Sequence, residues 1–187
     1  MTIVVLVGNP RAGSRTRKLA EAVGSAIQDR LDSRDHEVGV LDLAEIVRVH
    51  FGSDPACDTS GPTPAHDADE GRDPFTTVRE ARLLIVATPA YKGTFTGLLK
   101  VFLDRFGHQQ LAGVTAVPVA VAGSATHADA TATALRDVLR ELGAEVVAPL
   151  SVLEADLGDG PRIAERWADD HTATLVRSLT APHGEPA

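Results

Sequence analysis

Cysteine, tyrosine, tryptophan and methionine each occur once in this chain of 187 residues. A lone thiol, Cys57, closes no intrachain disulfide and offers no cysteine-rich metal cluster. The histidines (His36, His50, His66, His108, His127, His171 and His183) are scattered without the spacing of a zinc site. No local Ser-His-Asp arrangement stands out. No apolar run approaches the ~20 residues that a membrane span needs. The opening MTIVVLVG is short for a signal peptide and has no basic n-region. These absences predict a soluble, cytoplasmic protein. Basic residues are outnumbered 18 to 26 by acidic ones, for a formal charge of -8, which disfavours a general nucleic-acid surface. Two phosphate-binding signatures are also missing: the Gly-x-Gly-x-x-Gly of a dinucleotide fold and the Gly-Lys-Ser/Thr of a nucleoside-triphosphate loop.

What is present is ordinary globular material, 43% apolar and 24% charged, enough for a sheet covered on both faces. Residues 3–7 form a continuous, β-branched run, a buried strand. Ser14 is placed to cap a helix running to about Leu31, with Leu19, Ala22, Val23, Ala26, Ile27 and Leu31 on one side. Residues 37–43 read as a second strand, with a short helix near Ala44. A short helix ends over 76–81 and a third strand covers 83–87. A helix over 95–106 then carries Leu98, Leu99, Phe102, Leu103 and Phe106 at helical spacing. The fourth strand spans about 114–122, with Pro118 as an irregularity because a central strand loses a ladder bond there. A helix over about 129–142 stops at Gly143. A short fifth strand over 145–149 and a closing helix over 161–179 follow. The stretch 49–74 holds Pro55, Pro62, Pro64, Pro74 and the acidic DADEG, and reads as a long surface excursion that covers a site or meets a subunit. One domain over 1–180 and a frayed tail over 181–187 are expected.

This order of strands and helices fits a doubly wound α/β fold. In a parallel sheet of order 2-1-3-4-5 the direction of winding reverses between strands one and three. The ligand crevice then lies between the loops that follow them. The first loop, GNPRAGSRTR, brings the Ser14 and Thr16 hydroxyls beside free N–H groups at a helix start, which suits a terminal phosphate. Arg11, Arg15, Arg17 and Lys18 add positive charge where the helix dipole disfavours it, which makes more sense if an anion shares the site; the alternative is that they point into water. The second loop, PAYKGT, combines Pro89 with Gly93, and its N–H groups from Tyr91 to Thr94 are candidates to meet the edge of a flat heterocycle. Tyr91 is placed to stack or pack against its rim. Lys92 reads equally as a charge near that edge or as a solvated side chain. Gly123 and Ser124, after the fourth strand, are placed to meet the same ligand from its other side. His127 is open between a catalytic and a surface role.

Three segments, GNPRAGSRTRKLA, ATPAYKGTFTGLLKVFLDRF and VAVAGSATH, carry a resemblance over about residues 2–150. The chain resembles the NADPH-dependent FMN reductase family, in the branch that supplies reduced flavin to two-component monooxygenases. The resemblance implies a flavodoxin-like three-layer sandwich binding FMN. It would place Arg11, Ser14, Arg15 and Thr16 around the phosphate, and Pro89, Ala90, Tyr91, Lys92, Gly93 and Thr94 with Gly123 and Ser124 around the isoalloxazine. Members of the alkanesulfonate system carry Tyr in a π-helical insertion at the tetramer interface where this chain has Phe95.

The expected chemistry is hydride transfer from the nicotinamide C4 of NADPH or NADH to flavin N5, with no catalytic side chain required. NADPH is favoured by the resemblance alone. A single Trp and a single Tyr make an aromatic sandwich around the flavin hard to build. A quinone or azo reductase with retained FMN, and a non-enzymatic electron carrier or flavin-binding module, remain the rival readings. The apolar helix 98–106 predicts a homodimer or homotetramer. A monooxygenase receiving reduced FMN is the expected partner, with no metal, nucleic acid or membrane.

Overall fold

The computed structural model describes residues 2–31, 37–47 and 73–180. The proposed excursion, apart from its last two residues, and the proposed tail lie outside these. The strands are β1 (Thr2–Val7), β2 (Glu37–Asp42), β3 (Leu83–Pro89), β4 (Thr115–Ala122), β5 (Glu145–Val146) and β6 (Leu150–Leu153). The helices are α1 (Arg15–Arg30), α2 (Leu43–Ile46), α3 (Pro74–Arg79), α4 (Gly97–Leu103), α5 (Ala125–Glu141) and α6 (Gly160–Thr180). All strand pairs are parallel, in the order β2-β1-β3-β4-β5, with β6 also beside β4. Since β5 and β6 occupy successive stretches of one edge, the sheet is five strands wide with order 2-1-3-4-5, the flavodoxin-like arrangement expected.

Alternation along each strand sends side chains to two apolar layers. Ile3, Val5 and Val7 join Leu19, Val23 and Ile27 of α1 and Ala164, Trp167 and Leu175 of α6 on one face. Val4 and Leu6 join Val78, Leu99, Phe102, Leu103, Leu135 and Leu139 from α3, α4 and α5 on the other. Both faces of β1 and β3 are therefore sealed, and their apolar runs are continuous for that reason. Full burial of each such Leu or Ile is worth ~1.5–3 kcal/mol.

The helix expected over 95–106 is shorter at both ends. Thr96 is its N-cap, its hydroxyl accepting from Leu99 N–H at 3.2 Å, so Phe95 lies before the helix and is buried in the second layer. At the other end the N–H groups of Arg105 and Phe106 donate to Phe102 O and Leu103 O, three residues back, at 3.2 and 3.1 Å. That tightened turn keeps Phe106 buried, which is why the apolar spacing outlasts the helix. Phe75, Phe102 and Phe106 form one aromatic group, with Phe75 stacked on Phe102 at 4.7 Å between ring centroids and Arg105 4.8 Å above Phe75. Helix α5 starts at Ala125, earlier than expected, because its first turns are Ala- and Thr-rich and carry no apolar period. Gly143, at φ 94°, ends it as anticipated.

Pro118 sits in a central strand at no visible cost to the ladder. Ala116 O accepts from Val147 N–H at 2.9 Å, so Ala116, Pro118 and Ala120 direct their backbone groups toward β5 and β6. Opposite Pro118 that edge is broken. Ala116 pairs with Val146 while Val119 pairs with Leu150, three steps on one strand against four on the other. The missing donor thus falls where no ladder partner stands, and the fifth strand resumes as β6, beyond the 145–149 expected. Among the described residues, no helix is long and apolar enough to cross a membrane.

Candidate functional site

At the carboxyl ends of β1, β3, β4 and β6 lies a cavity of about 570 Å³, lined by Asn9, Arg11, Ala12, Gly13, Ser14, Arg15, Thr16, Pro89, Tyr91, Val121, Glu154 and Leu157. This is the winding-reversal crevice anticipated from strand order. One end is polar and the other apolar.

The polar end is the β1–α1 loop. Ser14 caps α1, its Oγ accepting from Arg17 N–H at 3.3 Å. The N–H groups of Arg15 and Thr16 have no acceptor among the described residues, and the first turn of α1 holds no acidic residue. Such orphan donors at a helix start suit an anion. The loop is braced from below. Asp42, buried at the end of β2, accepts from Gly13 N–H at 3.3 Å and Ala44 N–H at 3.2 Å. Asn9 accepts from Arg11 N–H at 3.0 Å through its Oδ1, and its Nδ2 donates to Thr16 Oγ1 at 3.2 Å. Gly13 adopts φ 61°, a conformation costly for any side chain.

The four cations expected here divide. Arg17 is committed elsewhere: Nε donates to Glu21 at 2.8 Å, and Nη1 to Glu45 at 3.0 Å and Asp42 at 3.4 Å. Its pKa is raised further by these partners, the Glu21 hydrogen bond first. Lys18 is exposed outside the lining. Arg11 and Arg15 remain at the cavity, both exposed.

The apolar end is framed by Pro89, Tyr91, Val121 and Leu157. Residues Tyr91–Thr94 form a two-residue hairpin: Tyr91 N–H donates to Thr94 O at 2.8 Å and Thr94 N–H to Tyr91 O at 3.3 Å. Lys92 at φ 55° and Gly93 at φ 87° supply the left-handed turn. The expectation that N–H groups from Tyr91 to Thr94 all face a heterocycle is therefore narrowed. Two are consumed within the hairpin, and those of Lys92 and Gly93 remain. Ala90 N–H is also used, donating to Val121 O at 2.7 Å.

A clamp joins the two loops. Gly8 N–H donates to Ala87 O at 2.7 Å, and the Thr96 hydroxyl donates to Gly8 O. Thr88 Oγ1 accepts from Thr96 N–H at 3.2 Å. A Cβ on Gly8 would lie 2.6 Å from Leu99 Cβ, so this approach of β1 to α4 depends on glycine.

Of the residues singled out from sequence, Arg11, Ser14, Arg15, Thr16, Pro89 and Tyr91 come together in the lining. Ala90, Lys92, Gly93 and Thr94 lie in the adjoining hairpin; Gly123 and Ser124 lie beyond Val121, where Ser124 caps α5. His127 is exposed in the first turn of α5, outside the lining. Sequence reading missed Glu154 and Leu157, which reach the cavity through the unforeseen β6 and the 3₁₀ turn Glu154–Asp159 after it. It also passed over Asn9, whose place in the marked loop was a usable signal.

A family model described as NADPH-dependent FMN reductase matches residues 1–156. An NADH-dependent FMN reductase, SfnF, of Pseudomonas putida is 34% identical over 127 residues, 67% of this chain and 62% of that protein, so this chain spans less than two thirds of that relative's length. An FMN reductase (NADPH) of Escherichia coli (strain K12) is 31% identical over 153 residues, 79% of this chain and 70% of that protein. Among solved structures, the apo form of an NADH:FMN oxidoreductase (EMOB) superposes with a TM-score of 0.71 at 28% identity, covering 99% of this chain and 91% of that one.

Proposed function

The chain belongs to the NADPH-dependent FMN reductase family, and from that membership we propose that it reduces FMN at the expense of NADPH or NADH. The observation that carries the proposal is the two-ended lining of the cavity, orphan N–H groups with Arg11 and Arg15 at one end and Pro89, Tyr91, Val121 and Leu157 at the other. That division matches the phosphate and the ring system of FMN. When bound, FMN would supply a two-electron acceptor, its N5, for hydride from the nicotinamide C4.

The protein's part is to hold and orient. The Arg15 and Thr16 N–H groups, the Ser14 hydroxyl and the Arg11 and Arg15 guanidinium groups receive the phosphate. The free N–H groups of Lys92 and Gly93 are placed for polar atoms on the ring edge. Tyr91, 42% exposed, packs against the ring system. Trp167, the other large indole or phenol side chain, is buried in the α1/α6 layer, outside the cavity. Among the described residues no aromatic pair lines the cavity, in keeping with one flavin face left open for the nicotinamide. No side-chain acid or base is invoked.

The proposal extends to a flavin that exchanges, with reduced FMN passed to a partner monooxygenase, and to a homodimer or homotetramer whose assembly sedimentation velocity would read directly. Anaerobic stopped-flow mixing with NADPH or NADH at substoichiometric and excess FMN tests the activity. Fast bleaching of many equivalents of FMN is expected. Reduction of one retained equivalent, reoxidised only by a quinone or azo acceptor, would favour the rival reductase. Stoichiometric FMN binding with no reduction by either nicotinamide would refute both and leave an electron carrier.

A further inference from the structure

Among the described residues of the lining, one carries a charge of the wrong sign for an anion site. Glu154 opens the 3₁₀ turn after β6 and lines the cavity together with Arg11, Ser14 and Arg15. Its backbone carbonyl accepts from Arg15 Nη1 at 3.4 Å, and its Oε2 lies 3.8 Å from Arg15 Nη2. Both side chains are largely solvated, at 66% and 51% exposure.

We infer that Glu154 limits the affinity of the flavin phosphate site, so that FMN is held loosely enough to leave. This rests on the FMN reading above and deepens it by naming what sets retention. Two effects act in the same direction. Among the described residues Arg15 is one of two guanidinium groups in the lining, and a phosphate must displace its weak, solvated pairing with Glu154, the smaller of the two effects. The carboxylate also repels a phosphate monoester, which carries about -1.5 to -2 charge near neutral pH. A role for Glu154 in orienting Arg15 toward phosphate fits less well. An exposed pair at this separation has little power to fix a long side chain, whereas repulsion acts through space and needs no fixed geometry. The carbonyl contact, moreover, holds Arg15 without the carboxylate. A protein that retained its flavin permanently would gain by a neutral residue here; one that passes flavin on gains by the charge.

Glu154→Gln removes the charge and keeps size and the backbone carbonyl. FMN and riboflavin are titrated by flavin fluorescence, with dissociation followed by stopped flow. The FMN dissociation constant is expected to fall roughly three- to tenfold, the order for exposed charges screened nearly as in bulk water. Dissociation should slow in step, riboflavin binding should not move, and the gain should shrink in about 0.5 M salt through screening. Asp156→Asn, two residues further along the same turn and outside the lining, should leave the FMN-to-riboflavin ratio alone. Weaker or unchanged FMN binding in Glu154→Gln, a parallel gain for riboflavin, or the same selective gain in Asp156→Asn would each overturn the role of Glu154. A wild-type protein with no preference for FMN over riboflavin would overturn the phosphate reading itself, and this inference with it.

Discussion

Gly8→Ala tests whether the clamp between the two loops positions the site. An added Cβ would stand 2.6 Å from Leu99 Cβ and 3.0 Å from its Cγ and Cδ2. Carbon pairs are content at ~3.5–4.0 Å, so the shortfall against Cβ is about 1 Å. The obstructing atom is next to the backbone of a fully buried residue and has no rotamer to escape into. Overpacking of this kind costs about 1–3 kcal/mol. Lower entropy of the unfolded chain returns about 0.4–1 kcal/mol, while a displaced Gly8 carbonyl weakens the Thr96 bond, worth ~0.5–1.5 kcal/mol. The net expectation is about 1–3 kcal/mol of destabilisation, or a fall of about 2–12 °C in Tm for a chain of this length. FMN affinity should drop as well, because the residues after Gly8 form the loop that receives the phosphate. Leu99→Ala alone should cost ~2–5 kcal/mol; it removes the Cγ and Cδ2 atoms that would stand 3.0 Å from the new methyl but keeps the Cβ at 2.6 Å. The double variant should therefore recover only part of the steric cost, about 0.5–1 kcal/mol relative to the sum of the singles. Urea titration and calorimetry on all four proteins measure this. A Gly8→Ala variant within 0.5 kcal/mol of wild type would refute the steric argument.

Arg11→Ala or Ser14→Ala should weaken FMN roughly 10- to 150-fold, the equivalent of one charge-assisted contact of ~1.5–3 kcal/mol, and leave riboflavin nearly unmoved; unchanged FMN titrations in both variants would return these residues to the solvated surface. The Asp73 carboxylate caps α3, accepting from Thr76 N–H at 2.9 Å, and that bond, foremost among its contacts, holds its pKa below the ordinary carboxylate value. With the folded value depressed, the stability it lends is present above its unfolded pKa of ~3.9 and is lost as pH falls through the folded value. Asp73→Asn keeps a capping side chain without the charge, so its urea midpoint should sit below wild type near pH 6 and meet it at acid pH; superimposable pH profiles would contradict the assignment.

Strand order and the location of the crevice were legible because both depend on long apolar periods and on topology, which survive local uncertainty. The N-terminus of α1 was legible for a similar reason: Ser14 carries its own capping chemistry. Arg17 misled because a cation in a first turn looks the same whether it faces a ligand or, as here, three carboxylates from α1, β2 and α2. The hairpin N–H groups were overcounted because the left-handed pair Lys92–Gly93 folds Tyr91 onto Thr94, and lysine gives no hint of positive φ. Glu154 was out of reach of local reading, since its place depends on a strand of four residues that resumes after a break.

That break works as a phase shifter. Val119 and Val121 face the α1/α6 layer, and their partners Leu150 and Val152 do the same, with Ser151 exposed between them. Had the same residues run on step for step from the Ala116–Val146 pairing, Pro149 and Ser151 would have stood opposite Val119 and Val121. Ser151 would then face the apolar layer, and Leu150 and Val152 would turn to the other side. Glu154 and Leu157 would move one position along the sheet with them. Connecting segments usually absorb insertions and deletions cheaply, but the three residues from Val147 to Pro149 form a counted spacer. Loss of one residue there would leave three steps from Val146 to Leu150, matching the three from Ala116 to Val119. The ladder would close with Leu150 still opposite Val119, but it would then run unbroken past Pro118, which has no N–H to give it.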